Sequence, residues 1–372
     1  MLLRMEAFLM RMPCVLRRFR LLIAVLLFAV SAAAPLHAVE LPPIPELPGE
    51  SEESELVVSP EPRPELKPET QISAADFFEI CKSGSPEDVR LAIERGGDVY
   101  ARNETGLTPL MHAAWDNENP EVLRLLLKAG ADLEARENEF GMTALLIAAF
   151  SNENPDVVTV LLNAGADYSV KDKYAMTALM CAAQGNENPE VIAALLNAGA
   201  EVEEKDDNGR TALMHVAQSN MNPDVLSVLL DAGADLNEKH NDGRTLLMMA
   251  AQLNPNPDMV LALLEAGGDL KGKYGDGWTV LMAAARLNRN PNVVLTLLRE
   301  GADLKVKDKY GQTALMHAAR WNENPEVVAA LLKAGADPKV KDKKGKRAMD
   351  YAQENKNLKA SPVFKMLRDA SR

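Results

Sequence analysis

Five histidines, three cysteines and seventeen methionines are the side chains of this sequence with most to offer as metal ligands, nucleophiles or redox groups. Such chemistry needs them to converge on one metal or within one hydrogen bond. His112, His215 and His317 instead recur at one phase of an internal repeat, three repeats apart. At ~10 Å per helix layer they stand ~30 Å from each other, so they read as helix-surface histidines rather than a shared metal site. His240 has no companion. There is no His-Glu-x-x-His, no glycine-rich phosphate loop after a strand, and no Gly-x-Ser-x-Gly elbow. The turn Asp206-Asp207-Asn208-Gly209 lacks the ligand count of a calcium loop and is explained by turn chemistry. Most methionines fall in a repeated Leu-Met pair, where packing explains them better than copper or redox chemistry. The expectation is a chain with no catalytic residues, no metal and no cofactor.

The elements that would position any other function are set by composition and repetition. Of 372 residues, 47% are hydrophobic, which is ample for a core and excludes wholesale disorder. The formal net charge is -13, which argues against a nucleic-acid partner bound by phosphate neutralisation. Three cysteines cannot build a disulfide scaffold. Cys81 and Cys181 fall in different repeats and are expected as buried thiols.

Residues 1–38 carry Arg4, Arg11, Arg17, Arg18 and Arg20 against one acid, Glu6. The uncharged stretch 21–34 follows, then Pro35 and Leu36-His37-Ala38. This is the pattern of a secretory signal peptide cleaved near Ala38; the stretch is short for a membrane span, which needs about 20 residues. The alternative is an uncleaved anchor extended by Val15 and Leu16, and Met10 or Met12 could be the true start. With no Cys at the cleavage site, a lipoprotein is not expected. Residues 39–72 hold eight prolines and nine glutamates. Such a segment is expected to be an extended spacer; the alternative is a proline-rich ligand for a groove.

From residue 106 the chain repeats. Thr108, Thr143, Thr177, Thr211, Thr245, Thr279 and Thr313 recur at a period of 34, once 35. An apolar run follows each, as in Thr108-Pro-Leu-Met-His-Ala-Ala. Then comes Asn-Pro, at Pro120, Pro155, Pro189, Pro223, Pro257, Pro291 and Pro325, and each unit closes on a glycine such as Gly130. Such self-similarity predicts a solenoid. In each unit Thr caps a first helix. Asn119 caps a second that starts at Pro120 and ends at Gly130 in a left-handed conformation. The second helix should bury Val122, Leu123, Leu126 and Leu127. Some ten polar residues then form a hairpin-like finger. One finger has Ala175 where the others have glycine, and that position is expected to need a positive φ.

This resembles the ankyrin repeat. The family's Thr-Pro-Leu-His-x-Ala appears as Thr108-Pro-Leu-Met-His-Ala, and its Gly-Ala-Asp is nearly verbatim. The usual period is about 33; here one residue is added between the helices, where Asn-x-Asn-Pro replaces the family's Gly-His. The expected fold is an all-α solenoid of paired antiparallel helices with fingers, about nine units counting degenerate caps. Residues 73–105 would form a degenerate first repeat, 106–344 seven repeats, and 345–372 a capping repeat with Arg347 in place of Thr. Atypical ends stop further stacking.

The resemblance implies protein binding through the concave helix and finger surface. By helical spacing, positions four, seven and eight after each Thr lie opposite the core, and they vary between copies. The expected partner-binding residues are His112, Trp115, Ile147, Phe150, Gln184, Gln218, Gln252, Arg286, Arg320 and Trp321. Trp115 and Phe150 are the proposed anchors. Residues 338–372 carry a net charge of +7 against -17 for 73–337, either as a solvated cap or as a docking patch for an acidic partner. The function expected is a non-enzymatic scaffold, exported to the periplasm or beyond. It would be monomeric, without a membrane span once cleaved, and would bind a protein and no nucleic acid. The alternative is a secreted effector acting on proteins of another organism.

Overall fold

A computed structural model describes residues 72–372. The expected leader, and the spacer apart from Ile72, lie outside the described residues.

Nineteen helices make up the described chain. They alternate as first and second helices of stacked units. The first helices are α1 (Ala74–Ser83), α3 (Pro109–Asp116), α5 (Ala144–Ser151), α7 (Ala178–Gly185), α9 (Ala212–Ser219), α11 (Leu246–Leu253), α13 (Val280–Leu287), α15 (Ala314–Trp321) and α17 (Ala348–Ala352). The second helices are α2 (Pro86–Glu94), α4 (Pro120–Lys128), α6 (Pro155–Asn163), α8 (Pro189–Asn197), α10 (Pro223–Asp231), α12 (Pro257–Glu265), α14 (Pro291–Arg299) and α16 (Pro325–Lys333). First helices pack on first helices and second on second, with each pair also in contact. The last unit departs from expectation. A short helix α18 (Lys356–Lys359) is inserted, and α19 (Pro362–Ala370) takes the second-helix place against α16.

The helices start where the sequence places them. The Thr hydroxyl accepts the N3 backbone N–H in six of the seven full units, for example from Met111 at 3.3 Å. Thr313 differs: the Met316 N–H bonds to its carbonyl at 3.0 Å instead. At Arg347 the Asp350 carboxylate accepts the Arg347 N–H, so the cap is made from the other side. In the seven full units each second helix has Pro at its first position and an Asn side chain accepting the N–H two residues on, such as Glu121 at 3.0 Å; in the first unit Ser85 caps instead, accepting the Asp88 N–H. The core is continuous through all units. Val122, Leu123 and Leu126 are buried, whereas Leu127 is only half-buried, at the rim of the layer.

The residue added to each unit has a structural role that the sequence did not disclose. Asn152 is buried and its Nδ2 donates to the carbonyls of Ala114 and Asn117 in the preceding unit, both at 3.1 Å. Its Oδ1 accepts the Asn154 N–H at 3.0 Å. Asn186, Asn220, Asn254, Asn288 and Asn322 repeat this bond for bond, with Asn117 and Asn355 ending the series. A second row runs beside it: Asn154 Nδ2 donates to Glu118 O at 2.7 Å, and the next caps do likewise. The motif Asn-x-Asn-Pro thus carries two amide ladders along the array. Buried carbonyls at the ends of the first helices, which would otherwise be orphaned, find donors there.

The fingers are tight turns, such as Asp206, whose N–H bonds to Arg210 O at 3.0 Å. Neighbouring fingers join through backbone bonds, as from Lys343 N–H to Tyr310 O at 3.0 Å. Ala175 has a φ of +60°, matching +71° at Gly141 and +73° at Gly209. It is the one non-glycine residue with positive φ among the described residues.

Candidate functional site

The residues expected to face a partner divide into two rows with different surroundings. Position four is an interior row. Ile147, Cys181, His215, Met249, Ala283 and His317 are buried, and His112 is half-buried. The expectation that the histidines are surface residues is therefore corrected for His215 and His317, and Ile147 is buried rather than partner-facing, whereas His112 is half-buried like Trp115. Helical spacing alone cannot see that the finger folds over this position. His215 Nε2 lies 3.1 Å from Asp206 Oδ2, and His317 Nε2 lies 3.0 Å from Asp308 Oδ2, each acid nine residues earlier on the finger. Tyr351 OH donates to Asp342 in the same register, and Asn103 meets His112 at 3.3 Å. At these four units the row ties a finger to its helix.

Position seven is the open row. Trp115, Phe150, Gln184, Gln218, Gln252, Arg286 and Arg320 are all half-exposed. In chain order the row passes from aromatic through amide to guanidinium. Finger residues eight positions earlier meet it. Arg210 Nη1 donates to Gln218 Oε1 at 3.4 Å and Arg244 Nη1 to Gln252 Oε1 at 3.1 Å. The Trp278 ring lies 5.3 Å from the Arg286 guanidinium, and Lys346 Nζ is 3.4 Å from Glu354 Oε1. This register of eight, from the residue before each Thr to position seven, is written in the sequence and was missed. Its members sit on different elements, so no single-helix pattern exposes it.

At the aromatic end, Phe150 lies over Gly185, where a Cβ would come within 2.5 Å of the ring. The His112 ring packs on Phe78 with centroids 4.9 Å apart. In the middle, Gln184 Oε1 is buried without a hydrogen bond among the described residues.

The guanidinium end is a stack across three units. Arg286 lies 5.3 Å from the Trp278 ring centroid and 5.5 Å from that of Trp321. Arg320 lies 4.7 Å from Trp321 and 5.2 Å from Tyr351. Lys346 extends the stack over Tyr351 at 5.1 Å, and Trp278 packs on His317 at 4.4 Å. Trp321, the one position-eight residue in the expected set, is 47% exposed. Sequence reading placed Arg320 and Trp321 together but missed Trp278, Tyr351 and the bridging role of Arg286. Burial, and then the charge of Arg320, lower the pKa of Arg286 from its ordinary value.

The thiols offer no chemistry. Both are buried and unpaired, and burial pushes Cys81 up to about 12 and Cys181 well above its ordinary value. Among the described residues no cluster of three or more His, Cys, Asp or Glu could hold a metal ion, and no helix is long and apolar enough to cross a membrane.

Comparison with known proteins bears on the frame. The family described as "Ankyrin repeats (3 copies)" matches in overlapping windows at 77–172, 152–240, 179–274, 214–308, 247–342 and 281–369. Protein phosphatase 1 regulatory subunit 27 of Mus musculus is 41% identical over 61 residues, or 16% of this chain. The Homo sapiens protein of the same name is 39% identical over 61 residues. The match spans 39% of the length of each of these relatives.

Proposed function

The chain belongs to the ankyrin-repeat family, and from that premise we propose that it is a non-enzymatic scaffold holding a protein partner against its helix and finger face. Ankyrin repeats are in general binding modules for other proteins. The observation that carries the reading to this face is the position-seven row. Its frame repeats unit after unit, yet its side chains run from Trp115 and Phe150 through three glutamines to Arg286 and Arg320. Residues that only stack would repeat like the frame. Aromatic and arginine side chains at the two ends are the types favoured as interface anchors. The phosphatase relatives are by name regulatory subunits, which accords with a role exerted through another protein; the matched stretch names no partner for this chain.

The scaffold acts outside the cytoplasm in this reading, with the leader removed near Ala38. The support is the basic, apolar and small-residue order of 1–38. Mass spectrometry of the native protein tests it, and an intact 1–38 segment on exported chain would refute removal.

The binding reading is tested by affinity capture with the full chain, followed by calorimetry on each captured protein. A partner that binds the wild type and loses affinity when the position-seven row is substituted supports it. Binding untouched by every substitution in that row sends the site elsewhere.

A further inference from the structure

The guanidinium end is built for more negative charge than the described chain supplies, where Glu354 pairs with Arg320 and no acid is paired with Arg286. The rings of Trp278, Trp321 and Tyr351 lie within stacking distance of the two guanidiniums, which leaves the hydrogen-bonding edges to other groups. Among the described residues neither Arg286 nor Arg320 makes a hydrogen bond, and the Nε of each is buried and unsatisfied. A buried donor without an acceptor is costly unless a partner arrives. The two cations also share the Trp321 ring, so like charges are held close with no acid between them.

The last unit shows which group is missing. Glu354 occupies the position-seven phase one unit beyond Arg320, and its carboxylate lies 3.9 Å from Arg320 Nε and 3.4 Å from Lys346 Nζ. Its side chain is 53% exposed, and its contact with Arg320 is an ion pair too long for a hydrogen bond. At Arg286 the equivalent neighbour is Arg320 itself. Charge along the described residues favours an anion at the C-terminal end. The stack sits at the end of the acidic stretch 73–337, net -17, beside the cap 338–372, net +7, and the charge of the cap draws an acidic ligand toward this end.

We propose that the Arg286–Arg320 stack receives two carboxylates from an extended acidic segment of a protein partner. The proposal rests on the protein-binding reading above and deepens it. Layers stand ~10 Å apart, and an extended chain advances about 3.3 Å per residue. The two acids should therefore lie three residues apart, one for each arginine.

The test is calorimetry of the full chain with synthetic proline-containing peptides carrying two glutamates at every spacing from adjacent to six apart. Affinity should peak at a spacing of three and weaken with added salt. It should fall at least tenfold when either glutamate becomes glutamine, or in the pair Arg286→Gln with Arg320→Gln. Arg286→Lys with Arg320→Lys keeps the charge and the fold but loses the planar fork, and should weaken binding in the same order. It decides the matter if the glutamine pair does not fold. Equal affinity at all spacings, equal affinity of the glutamine peptides, no measurable binding of any peptide, or inorganic phosphate alone binding as tightly would overturn the proposal. In those cases a captured partner that depends on Trp115 and Phe150 would still uphold the scaffold.

Discussion

His215 Nε2 lies 3.1 Å from Asp206 Oδ2, with both side chains almost wholly buried. Burial keeps the imidazole below its ordinary pKa, against the pull of the Asp206 hydrogen bond. It is therefore neutral, and its Nε2–H donates to the carboxylate. Burial alone would raise Asp206, but the bonds from His215 and the Arg210 N–H, with the charge of Arg210, outweigh it and hold the carboxyl at about 2. The pair fastens a finger to its helix, as Asp308 and His317 do three units on.

Acid should loosen these fastenings. The unfolded chain takes up a proton on each histidine near roughly pH 6.5, whereas folded His215 and His317 resist it. Their contribution is present above that pH and is lost as pH falls through and below it. Asp206 adds a second loss below roughly pH 4, extending toward its folded value of about 2. Urea midpoints should fall from roughly pH 7.5 to roughly pH 5.5. His215→Gln, which can still donate but does not titrate, should flatten that slope, and an unchanged slope would exclude His215 as its source.

Asn220 is one rung of the interior amide ladder. Asn220→Ala leaves the carbonyls of Ala183 and Asn186 and the N–H of Asn222 without their bonds. Loss of several buried bonds should cost about 3 kcal/mol. Asn222→Ala, at the more exposed cap, should cost about 1 kcal/mol. Chemical denaturation of both variants checks the order, and equal costs would mean that the interior rung has no special weight.

Ala175 sits at a φ of +60° where sibling fingers have glycine. Ala175→Gly should raise stability by about 1 kcal/mol, because relief of strain exceeds the added freedom of the unfolded chain. Calorimetric melting measures it; a lower melting temperature would show that Ala175 is not strained.

Trp115 and Phe150 open the position-seven row, and Phe150 lies on Gly185. Trp115→Ala with Phe150→Ala should reduce affinity for the captured protein partner at least tenfold, with an unchanged far-ultraviolet spectrum. Gly185→Ala should act on the same binding by lifting the Phe150 ring. Full affinity in the double variant would remove this end from the site.

What the sequence by itself determined is what local chemistry repeats. Thr108 and its counterparts start first helices, Asn119 and Pro120 start second ones, and Gly130 ends them, because capping and dihedral preferences act within a few residues. The positive φ at Ala175 was legible for the same reason: seven sibling glycines report one backbone requirement. The tertiary structure alone decided which side of each first helix is open. Helical spacing groups Ile147 and His215 with Phe150 and Gln218, but position four is buried there and position seven left half-exposed. It alone joined Asn152 to Asn117 and brought Trp278, Arg286, Trp321, Arg320 and Tyr351 into one stack. The contacts of Asn152 with Asn117, Arg286 with Trp321 and Arg320 with Tyr351 cross layers, between residues 31 to 35 apart in sequence, where the spacing of the solenoid, rather than any helical period, sets who meets whom.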